Sequence, residues 1–148
     1  MKYLFLILGG KQTSLEEMRQ ILLISNFNTK ISARFCTTIN LIPGFRISAP
    51  SHMKVLHIPL LDDESTDLSP YFTTVFKEID EARKSAGRLL LLCAMGISRS
   101  ATFAIAYLMC IEKMSLHDAY KHVQYCRNII CPNLYGKKTV HIIEPICG

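Results

Sequence analysis

The chain has 148 residues, 49% of them hydrophobic and 20% charged, with a formal net charge of +5. That balance suits a single globular domain able to bury about two-thirds of the surface its unfolded form exposes, and it excludes wholesale disorder. The basic residues are scattered and no basic tract carries interleaved aromatics, so a nucleic-acid partner is not expected and the excess charge reads as mild attraction for anionic substrates.

The apolar opening Met1 to Leu8 is too short to span a membrane and lacks a small-residue cleavage site. It reads as a buried first strand ending at Gly9-Gly10. Ser14-Leu15-Glu16-Glu17 has the form of a capping box and opens a helix to about Leu23. A second strand is expected over Phe35 to Leu41, broken by Pro43-Gly44, and a third over Met53 to Ile58, closed by Pro59. The polar, acidic segment Leu60 to Ser69 leads into Ser69-Pro70, a cap followed by proline, and a helix carrying Phe72, Val75, Phe76, Ile79, Ala82 and Ala86 at helical spacing until Gly87. Arg88 to Leu92 is uniformly apolar after its first residue, as a central strand covered on both faces should be. A helix follows from Ser100 to about Glu112, and Ser115, with Asp118 three residues on, caps a last one to about Arg127. Alternating strands and helices predict an α/β fold, one domain over residues 1–148 with a central, mostly parallel sheet flanked by helices.

The chemistry concentrates where the fourth strand stops. In Cys93-Ala94-Met95-Gly96-Ile97-Ser98-Arg99-Ser100 a thiol ends a strand, a short glycine-containing loop follows, and a helix starts. Amides of a loop that opens into a helix converge on one point, and the helix N-terminus adds partial positive charge, so an anion such as phosphate is held there and thiolate is favoured over thiol. Arg99 adds a planar, permanently charged fork of donors suited to two phosphate oxygens. The six cysteines lack the paired spacing of a zinc site, and no histidine completes a ligand set. No metal or other cofactor is therefore expected, and the cysteines read as free cytosolic thiols.

The cysteine, five residues, arginine and serine resemble the signature of the cysteine-based protein tyrosine phosphatase superfamily. Met95-Gly96-Ile97-Ser98-Arg99-Ser100-Ala101, followed by Ala106-Tyr107-Leu108-Met109, is similar to its dual-specificity branch, and most to the small atypical members. The resemblance runs from about Lys2 to Asn133. It implies that Cys93 attacks phosphorus, that Arg99 and the loop Ala94, Met95, Gly96, Ile97 and Ser98 bind the phosphate, and that Ser100 donates a hydrogen bond to the departing sulfur. Ile58-Pro59-Leu60-Leu61-Asp62 resembles the general-acid loop, which assigns Asp62 as proton donor with Asp63 as its adjacent competitor. Cys126 and Cys131 flank a region that the family places near the pocket and are either traps for an oxidised Cys93 or plain free thiols. Asn133, after Pro132, resembles a position that braces the surrounding loops.

Two departures stand out. The family carries a histidine immediately before the cysteine, where this chain has Leu92, which predicts a less rigid loop and weakened turnover. After Asn133 the chain continues with Leu134-Tyr135-Gly136-Lys137-Lys138 rather than a further helix, as though shortened there. The first expectation is a phosphatase acting on phosphotyrosine and on phosphoserine or phosphothreonine; the loop interior has no lysine, unlike relatives that prefer inositol lipids. The alternative is a pseudoenzyme that binds phosphorylated partners or scaffolds signalling proteins. Expected partners are phosphorylated protein substrates and signalling kinases, with no membrane insertion, in the cytosol or nucleus.

Overall fold

Four leucines before Cys93 build the strand around which the rest is arranged. The structure, a computed structural model, describes residues 36–47, 49–63, 65–85, 87–94, 98–126 and 128–132, and residues 4–8 as backbone. The strands are β1 (Leu4–Leu8), β2 (Thr37–Asn40), β3 (Lys54–His57) and β4 (Leu89–Cys93), in spatial order β1-β4-β2-β3. β4 pairs in parallel with β2, Thr37 opposite Leu89, and β2 in parallel with β3, Thr37 opposite Lys54. β1 runs antiparallel to β4 on its other side, Leu4 opposite Cys93. The sheet is thus mostly parallel, with one antiparallel margin, and all five residues of β4 are buried.

Side chains alternate across a strand. Leu89, Leu91 and Cys93 join Ile39 and Leu41 in the core cluster under the helices, while Leu90 and Leu92 are buried on the opposite face. That cluster is completed by α1 (Phe72–Lys84), α2 (Arg99–Cys110) and α3 (Leu116–Cys126). Phe72 meets Phe103 edge-on with centroids 5.4 Å apart, and Phe76 meets Tyr107 at 5.6 Å, so aromatic rings fix α1 against α2. The same contact carries a polar knot. The Tyr107 hydroxyl donates to Asp80 Oδ1 at 2.6 Å and accepts from Arg83 Nη1 at 2.7 Å, and Arg83 also pairs with Glu112. Burial, and then the hydrogen bond to Asp80, push Tyr107 up to about 12. On the sheet's other margin Lys54 Nζ binds both oxygens of the buried Glu78 carboxylate, at 2.6 and 2.8 Å, joining β3 to α1.

Several boundaries differ from expectation for local reasons. The α-helix begins at Phe72 rather than at Ser69, because Ser69 spends its N–H and hydroxyl on Asp67 Oδ1 (2.9 and 2.7 Å), and Ser69–Tyr71 form a 3₁₀ turn. Ser98, not Ser100, holds the N-cap position of α2. Ser115 caps α3 as expected, its Oγ accepting the Asp118 N–H at 3.1 Å and its hydroxyl donating to the Asp118 carboxylate at 2.7 Å. Gly87 is needed for room as well as for ending a helix: a Cβ there would lie 2.4 Å from Cys36 Sγ. Cys36, Cys93, Cys126 and Cys131 are free, but Cys110 is disulfide-bonded, correcting the expectation of free thiols throughout; spacing along a chain does not reveal which sulfurs a fold brings together. The expected helix from Ser14, the loop residues Met95 to Ile97, and the region from Asn133 onward lie outside the described residues. Among the described residues, no helix is long and apolar enough to cross a membrane.

Candidate active site

At the carboxyl ends of β2 and β4 the chain turns into the segments that carry the expected chemistry. Cys93 ends β4 with 1% exposure, and its Sγ lies 3.1 Å from Ser100 Oγ in the first turn of α2. Alternation along β4 aims this side chain at the helical face, where α2 begins. Leu92, one residue earlier, is directed to the opposite face. Ala94 is half-buried and Ser98 is buried; the Ser98 carbonyl accepts the N–H and hydroxyl of Thr102, at 2.9 and 3.0 Å, which closes the first turn.

Arg99 is placed against the usual preferences. It puts a cation at a helix N-terminus, where the dipole disfavours it, and it is only 6% exposed. Its Nη1 donates to the carbonyls of Leu41, at 3.2 Å, and Leu60. Its Nε is buried without a hydrogen-bond partner, 3.9 Å from Asp62 Oδ2. A buried guanidinium costs several kcal/mol to desolvate and is ordinarily paired in full. An unfilled donor here is therefore a place where an anion's oxygen would be accepted.

The two neighbouring acids are arranged differently. Asp62 is 40% exposed and directs a carboxylate oxygen toward Arg99. Asp63 turns back on its own loop: its Oδ1 accepts the N–H and hydroxyl of Ser65, at 3.0 and 2.8 Å, and those of Thr66, both at 2.9 Å. The Ser65 hydroxyl, then the Thr66 hydroxyl, hold the Asp63 carboxyl below the usual carboxylate range, a state suited to accepting hydrogen bonds rather than supplying a proton.

Three participants escape a reading of the sequence. The carbonyls of Leu41 and Leu60 leave no mark in residue type. Buried Asn40 does, as a polar residue in an apolar run: its Nδ2 donates to the Phe45 carbonyl at 2.6 Å and its Oδ1 accepts the Ile42 N–H at 3.0 Å, fixing the turn that presents Leu41. Cys126 closes α3, its thiol pushed up by burial, and Cys131 is exposed beyond it.

Comparison with known proteins gives the chain its family. The family described as dual specificity phosphatase, catalytic domain, matches residues 6–142. The uncharacterized Caenorhabditis elegans protein ZK757.2 is 54% identical over 96% of this chain and 54% of its own length. Human dual specificity protein phosphatase 18 is 35% identical over 65% of this chain and 58% of its own. The chain thus spans little more than half the length of these relatives. Among solved structures, human DUSP28 superposes with a TM-score of 0.71 at 24% identity, over 78% of this chain and 82% of that one, a likeness of fold. The chain belongs to the dual-specificity phosphatases, in their atypical branch within the cysteine-based protein tyrosine phosphatase superfamily.

Proposed function

We propose that this chain hydrolyses phosphotyrosine and phosphoserine or phosphothreonine in proteins through a phosphocysteine on Cys93, countering signalling kinases. The observation that supports this best is the buried Arg99, with its Nε unfilled, on the residue next to the serine that contacts the Cys93 sulfur. In the first step the Cys93 thiolate attacks phosphorus; the S–P bond forms as the ester P–O bond breaks, and the leaving oxygen takes a proton from Asp62. Arg99 and the loop from Ala94 to Ser98 hold the equatorial oxygens as charge builds on them. In the second step water attacks phosphorus and gives its proton to the Asp62 carboxylate. The S–P bond then breaks and the sulfur departs with its electron pair, stabilised by the Ser100 hydroxyl. The self-bonded state of Asp63 favours Asp62 as the acid.

The test is phosphate release from phosphotyrosyl and phosphothreonyl peptides by the intact chain and by Cys93→Ser. Release by the intact chain alone, with one phosphoryl group trapped on it by acid quenching, is the expected result. Leu92, in the place of the family's histidine, favours a second reading, a module that binds phosphorylated partners without turnover. If both proteins are inert yet bind phosphopeptide equally, that second reading replaces the first.

A further inference from the structure

We propose that Asp63 is a positioning residue, whose carboxylate knots the loop beyond Asp62 and so holds the Asp62 side chain toward Arg99. The inference rests on the phosphatase reading above and deepens it. Upstream of Asp62 the loop is pinned at Leu60, whose N–H donates to the Leu41 carbonyl at 3.2 Å and whose own carbonyl accepts from Arg99. Downstream it is pinned at Asp63, where one carboxylate oxygen gathers four donors from Ser65 and Thr66. Beyond that, Asp67 gathers two more from Ser69 and hands the chain to the start of α1. Only Leu61 and Asp62 lie between the two pins, and they are 60% and 40% exposed.

With two soft dihedrals per residue, so short an unpinned stretch leaves the Asp62 carboxylate a narrow range of positions. Release of the downstream pin widens that range. Asp63 itself is exposed and belongs to no core cluster, so the turn it closes buries nothing that the fold needs. Its service is to its neighbour rather than to stability. The charge of Asp63 and its acceptor geometry are separable, because an asparagine amide oxygen accepts the same donors without the charge.

The experiment compares the intact chain, Asp63→Ala and Asp63→Asn on two aryl phosphates. Phenyl phosphate expels a basic leaving group that needs a proton; 2,4-dinitrophenyl phosphate expels one that does not. Misplacing a proton donor costs about tenfold or more, so Asp63→Ala should lower kcat/KM, which ends at phosphoenzyme formation, about tenfold on phenyl phosphate and by less than about twofold on the dinitrophenyl ester, while the later hydrolysis step, in which Asp62 takes a proton, slows alike for both. Asp63→Asn should recover kcat/KM on phenyl phosphate to within about threefold of the intact chain. Equal losses of kcat/KM on both esters, no loss on either, or an asparagine variant as impaired as the alanine one overturns the proposal. If the intact chain hydrolyses neither ester, the phosphatase reading fails, and amide hydrogen exchange decides the knot by itself. Faster exchange at Ser65 and Thr66 in Asp63→Ala, with α1 unchanged, upholds it, and unchanged exchange at those two amides overturns it.

Discussion

Arg99→Lys keeps the charge and removes the fork, and the structure says what that costs. Arg99 uses one nitrogen for two backbone carbonyls and leaves Nε, on the same rigid plane, without a hydrogen bond and 3.9 Å from Asp62 Oδ2. A lysine ammonium, a single point on a flexible stem, cannot hold the carbonyls and a phosphate together. Each charge-assisted hydrogen bond contributes about 1.5–3 kcal/mol, and two lost in the transition state correspond to about 10²- to 10⁴-fold in rate. The Leu41 carbonyl keeps the Leu60 N–H, but the Leu60 carbonyl loses the guanidinium, which costs about 1–3 kcal/mol of stability. At about 2–4 °C per kcal/mol that is a drop in Tm of several degrees. Single-turnover kinetics on an aryl phosphate and thermal unfolding of the same preparation give both numbers. Turnover within about threefold of the intact chain, with unaltered Tm, would refute the role assigned to the fork.

Tyr107→Phe breaks the knot between α1 and α2, and urea unfolding should register a loss of about 1–3 kcal/mol. Because the tyrosine is pushed up to about 12 in the folded protein, from an ordinary value near 10, its protonated form is favoured by folding. That contribution is whole below pH 10 and lost as pH rises through about 12, so stability of the parent should fall over this window more steeply than that of Tyr107→Phe. Gly87→Ala drives a methyl group into Cys36 Sγ and should destabilise by about 1–3 kcal/mol. Adding Cys36→Ala removes that sulfur, and chemical denaturation should show partial recovery; strict additivity would deny the clash.

Much of this architecture is legible in residue order. The leucine run before Cys93 announces a strand covered on both faces, and β4 lies between β1 and β2 with every residue buried. Ser115 and Asp118 announce a cap because the bonds they make are local. Legibility fails where a distant partner decides. A sulfur fifty-one positions upstream fills the space beside Gly87, and two backbone carbonyls from other segments receive Arg99. Asp62 and Asp63 look alike as adjacent acids, although the serine and threonine two and three places after Asp63 are the donors an aspartate turn needs, and that signal separates them.

Ten of the twelve residues of α2 are buried, with Ala101, Ala104 and Ala106 letting neighbouring elements close in on it, and Arg99 and Ser100 form its first turn. A rod so enclosed cannot slide or rotate without opening voids along its length. Side-chain changes that the fold tolerates around the site therefore fall on the exposed segments after β2 and β3, such as Leu61, while Arg99 and Ser100 stay where the helix holds them.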